Sequence, residues 1–215
     1  MWFQFWKKKQ TPTVLQPGRC VIVPLGNPGD EYALTRHNLG RLMVQRWMDG
    51  QSLTPEVLHS FIYGTLYSLN QPFVALVPST YMNMSGRVVA EMVRGGFSLE
   101  RMAVIYDDKD LPLGAGRLSN GGGSGGHNGL QSVMDEFGTD NFVRIRLGIG
   151  PFVRPLHDWV LGEWTQEELE LIEGMDAPFA KLMSSMAADQ PFAVLQSQVN
   201  NPAFWQKKQL AERSF

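Results

Sequence analysis

Apolar residues along the chain fall into short runs separated by breaks rich in glycine, proline and asparagine, and each run has a readable period. Residues 20–25 (Cys20-Val21-Ile22-Val23-Pro24-Leu25) carry no charged or amide position, which predicts a short buried strand. Gly26-Asn27-Pro28-Gly29 behind it is turn chemistry, because Gly and Asn tolerate the backbone angles of tight bends. From Leu39 to Met48 the apolar residues Leu39, Leu42, Met43 and Trp47 follow helical spacing. Segments 57–67 and 73–77 are rich in Val, Leu, Ile, Tyr and Phe and read as paired strands, and Val88–Val93 returns to helical spacing. Ser98 is placed to cap a further short turn. Met102–Tyr106 reads as a buried strand ending in Asp107-Asp108, and Leu111–Leu118 as an edge strand. The glycine-rich run Gly121–Gly126 leads into His127-Asn128 and a helix near 128–137, and Phe142–Ile149 reads as another strand. Residues 150–158, with two prolines, predict a mobile flap. Residues 165–187 predict an amphipathic helix with its acidic face outward, and 202–213 a weaker terminal helix. This interleaving without repeats predicts an α/β fold: one domain over 1–215, with a twisted, mixed, mostly parallel sheet flanked by helices. Residues 1–18 read as a flexible N-terminal extension.

Composition adds limits. With 215 residues, 43% hydrophobic and 19% charged, the chain suits one globular domain with a full core. No run approaches the length of a membrane span, and the opening segment places Lys7-Lys8-Lys9 after its apolar residues, the reverse of a secretory signal; a soluble, cytoplasmic protein is expected. The single Cys20 excludes an internal disulfide and reads as a buried structural thiol. The net charge of -2 conceals a separation of sign, for residues 158–191 hold eight acidic side chains against Lys181 alone. The rest of the chain is therefore formally basic, which fits either a solvated acidic helix face or a body able to hold phosphates.

Three polar clusters lie in turns beside expected strands: Asn27 with Thr35-Arg36-His37-Asn38, then Tyr81 to Gly86, then Asp107-Asp108 with His127-Asn128. A histidine at a helix start, paired through space with a strand-end carboxylate, is a candidate general base, since the carboxylate fixes the tautomer and stabilises the imidazolium that forms. His37 and Asp107 fit those roles; taken singly, His37 also reads as a locally hydrogen-bonded helix-start residue and Asp107 as a turn residue. The glycine run also satisfies the patterns G-x-S-x-G and G-x-G-x-x-G, but five glycines in six residues satisfy almost any such pattern. Asp108 and Asp110 have no further ligand at suitable spacing and read as solvent or turn residues, so neither metal nor cofactor is expected.

In combination these stretches resemble bacterial-type peptidyl-tRNA hydrolases over roughly residues 20–165. The resemblance rests on Leu25-Gly26-Asn27-Pro28-Gly29 with Tyr32, Thr35-Arg36-His37-Asn38 and Gly40, and on Pro78 through Gly86. Asp107 through Pro112, Gly121 through Gly129, and Arg144-Ile145-Arg146-Leu147-Gly148-Ile149-Gly150 complete it in family order. It implies a monomeric hydrolase without metal that frees tRNA from prematurely released peptides. By position, His37 would activate water, Asp107 would orient the ring and Asn83 would place the water and the scissile group. Asn27 and Asn128 would hold the peptide main chain and the developing oxyanion, with Tyr32, Tyr81 and His127 along the same groove. Arg146 would contact a phosphate at the tRNA acceptor end, with Arg36 or Arg117 adding to the field. Two positions depart from the family: Pro24 replaces a glycine, and Ser119 stands where a phosphate-clamping lysine is frequent. The competing expectation is a catalytically silent, RNA-binding scaffold of the same fold; the joint presence of His37, Asn83, Asp107 and Asn128 argues for the enzyme.

Overall fold

The computed structural model describes residues 20–69, 72–96 and 102–206. In chain order the regular elements are β1 (Cys20–Pro24), α1 (Leu39–Gly50), β2 (Glu56–Ser60), β3 (Gly64–Ser68), β4 (Phe73–Pro78), α2 (Gly86–Arg94) and β5 (Met102–Pro112). They continue with β6 (Gly116–Asn120), α3 (Asn128–Phe137), β7 (Val143–Gly150), α4 (Leu156–Leu161), α5 (Gln166–Gly174), α6 (Asp176–Ala187) and α7 (Phe192–Val199). The seven strands form one sheet in the order β2-β3-β4-β1-β5-β7-β6. Its four central strands pair in parallel, while β2, β3 and β6 pair antiparallel at the two edges.

Alternation along the central strands divides the core between the two faces. Ile22, Ala75, Ile105 and Ile145 pack with Leu39, Met43 and Trp47 of α1 and with Phe179, Leu182 and Met183 of α6. Val21, Val23, Val74, Leu76 and Val104 pack instead with Val88, Val89 and Met92 of α2 and with Leu130 and Val133 of α3. Full burial of each such side chain stabilises by about 1.5–3 kcal/mol, so both helical layers are held firmly to the sheet. One close approach positions the site: a methyl group at Gly40 would stand 2.4 Å from the Ile105 carbonyl oxygen and 3.1 Å from that of Leu25. With glycine there, the start of α1 lies directly on the end of β1 and on β5 at Ile105, two residues before Asp107.

The single α/β layered domain and the mixed sheet agree with the sequence, but several element bounds differ. Segment 57–67 is two antiparallel strands, β2 and β3, folded back at residues 61–63. The strand expected to stop at Tyr106 runs on to Pro112, because β7 continues to pair with it past Asp107↔Leu147 and Asp108↔Gly148. The edge strand is correspondingly later, at Gly116–Asn120. The long helix 165–187 is two helices: Pro178 lacks the N–H that would bond the Gly174 carbonyl, and the chain breaks at Gly174-Met175. The expected acidic outer face is in part paired, since Glu168 and Asp176 meet Arg36 and Arg46. At 202–213 the described part is a single 3-10 turn, Pro202–Phe204. The expected flap contains the start of α4, and α7 was not foreseen. Residues 1–18 and the turn expected at Ser98 lie outside the described residues.

Candidate active site

His37, Asp107 and His127 meet at the C-terminal ends of the parallel strands, where loops of an α/β sheet converge. His37 sits in the 3-10 turn Arg36–Asn38 ahead of α1, Asp107 lies within β5, and His127 is the N-cap residue of α3. His37 Nδ1 lies 3.0 and 3.1 Å from the two Asp107 carboxylate oxygens. His127 Nε2 approaches Asp107 Oδ1 from the other side at 2.9 Å. His127 Nδ1 accepts the backbone N–H of Leu130 at 3.1 Å, so the ring proton must be on Nε2, facing the carboxylate. In the same way Nδ1 of neutral His37 donates to Asp107, which leaves Nε2 as the basic nitrogen toward the cavity. Asp107 is 3% exposed. Burial pushes its pKa up, but the charges and hydrogen bonds of His37 and His127 prevail and hold it well below the usual carboxylate range. The carboxylate therefore stays ionised at neutral pH.

These groups open on a cavity of about 640 Å³ lined by Asn27, Tyr81, Met82, Asn83, Asn128, Arg146 and residues of α4. Asn27 is fixed twice: its backbone N–H donates to Asn38 Oδ1 at 2.7 Å, and Asn38 Nδ2 returns a bond to its carbonyl at 3.0 Å. Its own Oδ1 accepts the Met82 N–H at 2.8 Å, so the amide NH₂ is what Asn27 offers the cavity. Asn83, in the 3-10 turn after β4, and Asn128, at the first position of α3, are both exposed on the cavity wall. Tyr81 also lines it; Tyr32 does not, and reaches the rim only through an edge-on contact with Tyr81 at 6.2 Å between ring centroids.

The basic residues divide sharply. Arg146 lines the cavity, with its Nε donating to Asp108 Oδ2 at 2.6 Å, so its guanidinium is aimed by a buried carboxylate. Asp108 is thus a buried ion-pair partner inside β5, which corrects its reading as a solvent or turn residue; its other oxygen accepts the Asp110 N–H at 2.9 Å. Arg117 is exposed opposite Arg146 across the β6–β7 pair, and Ser119 lines the cavity opposite Arg144. Arg36 does not face the cavity at all. It is 6% exposed, donates to Glu168 at 2.7–2.8 Å and to the Glu163 carbonyl at 2.9 Å, and stacks on Trp159 at 4.1 Å. Its charge is spent on α5, which corrects the expectation that it adds to a phosphate field. Sequence reasoning gave no role to Arg144 or Asn38. Arg144, 2% exposed, ties down the glycine-rich loop through the Gly122 and Gly123 carbonyls, the latter at 2.7 Å. The only signal in the chain was an arginine alternating with apolar residues in an otherwise buried strand.

His37, Asp107 and His127 present ligand atoms within 4.8 Å of one another, the spacing a metal ion would need. Here both imidazoles instead direct ring N–H groups at one carboxylate, an arrangement suited to proton transfer at His37 Nε2. The asparagine amides around it can orient a carbonyl or stabilise an oxyanion without competing for the proton.

The sequence model described as peptidyl-tRNA hydrolase matches residues 21–209. A peptidyl-tRNA hydrolase of Pelobacter propionicus is 39% identical over 195 residues, covering 87% of this chain and 98% of that protein. One from Pseudothermotoga lettingae is 42% identical over 160 residues, covering 71% and 82%. The crystal structure of peptidyl-tRNA hydrolase from Acinetobacter baumannii superposes with a TM-score of 0.76 at 32% identity, over 86% of this chain and 96% of that one.

Proposed function

This chain belongs to the peptidyl-tRNA hydrolase family, and from that premise we propose that His37, held by Asp107, activates the water that cleaves the ester between peptide and tRNA. Hydrolysis of peptidyl-tRNA is its activity; the roles of individual residues are our reading. The observation that carries it is the direct contact of His37 Nδ1 with a buried carboxylate at 3.0 Å beside a cavity lined with amides.

His37 Nε2 takes a proton from water as the oxygen attacks the ester carbonyl carbon. Asp107 stabilises the imidazolium that forms, and His127 keeps the carboxylate in place from its far side. Asn83 positions the water and the scissile group. The NH₂ groups of Asn27 and Asn128 donate to the carbonyl oxygen as it gains charge and to the peptide main chain. The imidazolium then returns its proton to the departing ribose oxygen, which restores the neutral base. General-base catalysis of this kind contributes about 10²–10⁴-fold, and the rest comes from orientation by the amides. Hydrogen bonding to a peptide backbone favours an acylated amino group, so free aminoacyl-tRNA is a poor substrate. Arg146 contacts a phosphate of the acceptor end, which makes activity fall with added salt. The protein works as a monomer in the cytoplasm, recycling tRNA. No helix among the described residues is long and apolar enough to cross a membrane.

The test is release of labelled N-acetylated amino acid from tRNA by the wild type and by His37→Ala. Strong loss in the variant is expected, and equal rates overturn the mechanism.

A further inference from the structure

A second groove, of about 350 Å³, runs between α2 and α3, and Asn83 and Asn128 line both it and the catalytic cavity. The two spaces therefore adjoin, with those two amides at their shared boundary. The floor of the groove is closed by contact between the helices: the Gly86 N–H donates to Ser132 Oγ at 3.0 Å, and a methyl group at Gly86 would stand 2.0 Å from the Ser132 carbonyl oxygen. Gln131 and Asp135 line one wall, bonded to each other at 2.7 Å, and Glu136 stands beyond them. Arg87 completes the lining and rests its guanidinium on the Tyr63 ring at 5.4 Å.

We propose that this groove receives the second and earlier residues of the peptide, and that its far end selects a free terminal ammonium on chains of about four residues. The proposal rests on the hydrolase reading and deepens it. Amides of Asn83, Asn128 and Gln131 offer donors and acceptors in turn, which suits a peptide main chain. Two carboxylates against one guanidinium disfavour a phosphodiester, so the RNA leaves the ester toward Arg146 and the peptide leaves it toward α3. Helix geometry supplies a ruler. Asn128 and Asp135 are separated by about 10 Å along the axis of α3 at 1.5 Å per residue, and an extended peptide covers that in about three residues at 3.3–3.6 Å each. The ammonium of a tetrapeptide consequently arrives beside Asp135 and Glu136.

The experiment compares kcat/KM for three tRNA substrates: N-acetylaminoacyl, a tetrapeptidyl group with a free amino terminus, and the same tetrapeptidyl group acetylated. The wild type should prefer the free over the acetylated tetrapeptide by about two- to fivefold, the range for an exposed ion pair. Asp135→Asn combined with Glu136→Gln should abolish that preference while the acetylated tetrapeptide keeps its advantage over the single residue. Gln131→Trp, which fills the groove from an exposed helix position, should lower the long-to-short ratio at least fivefold, with its unfolding midpoint confirming that the fold is intact. Ratios identical in the wild type and both variants overturn the groove while the hydrolase reading stands. Failure of the wild type to cleave any of the three removes the hydrolase reading instead.

Discussion

Arg36 and His37 are neighbours in one short turn, both more than nine-tenths buried, yet they serve opposite ends. Arg36 turns toward α5, where Glu168 and the Trp159 face satisfy it; His37 turns toward β5, where Asp107 engages one ring nitrogen and leaves the other for the cavity. The arginine commits its two terminal nitrogens inside the protein and keeps its remaining N–H, at Nε, buried away from the cavity, whereas the histidine leaves an open valence that faces the cavity. A buried polar group that does chemistry differs from one that holds the fold by this open valence, since burial and pairing are common to both.

The contrast can be broken from either side. His37→Ala should give the largest effect, a fall in kcat of about 10²–10⁴-fold, read on N-acetylaminoacyl-tRNA. Arg36→Ala should leave kcat near wild type once folded, but lower unfolding free energy in urea by about 3 kcal/mol, because it removes the ion-pair partner of Glu168, leaving that carboxylate only its capping bond, and uncovers the two indole faces. Loss of activity without loss of stability in that variant would put Arg36 back in the site. Asp107 sharpens the comparison through pH. Its folded pKa lies below that of the unfolded carboxyl, so its stabilisation is complete above about pH 4 and is lost as pH falls through the folded value. Such a carboxylate is worth on the order of 2 kcal/mol at neutral pH, and urea titrations from pH 7 to pH 3 should show a shallower acid loss for Asp107→Asn than for the wild type. The smallest change belongs to the arginine's end: Thr165 caps α5 in a reciprocal box with Glu168, and Thr165→Ala should cost about 1 kcal/mol with no kinetic effect.

Much of the site could be read in the sequence because its residues stand in turns next to strongly apolar runs. Asn27, His37, Asn83, Asp107 and His127 all follow or precede segments whose burial is plain from composition, and the structure gathers them around one cavity at the C-terminal ends of the parallel strands. Local signals failed where a distant partner changed their meaning. Asp107-Asp108 looks like the end of a strand, and is in fact inside one, because two histidines and Arg146 satisfy carboxylates that would otherwise be forced out to water. Arg36 looked available for phosphate because Glu168 lies 132 residues away. The break between α5 and α6 was legible in principle, since Gly174 and Pro178 stand four apart, the spacing at which a proline removes a helical hydrogen bond. The turn within 57–67 carried a weaker cue. Ile62 and Tyr63 are apolar, and their backbone N–H groups are taken up by the Glu91 carboxylate of α2, a contact no local pattern records.

The bare α-carbon at position 40 sets a clearance. A catalytic imidazole must hold its reach to a few tenths of an ångström, and here that tolerance is fixed by a methyl group that is missing one turn further along the chain. Any side chain at Gly40 would wedge α1 off the sheet and carry His37 away from Asp107. A saturation scan read by activity should find residue 40 nearly as intolerant as residue 37, although it never meets the substrate.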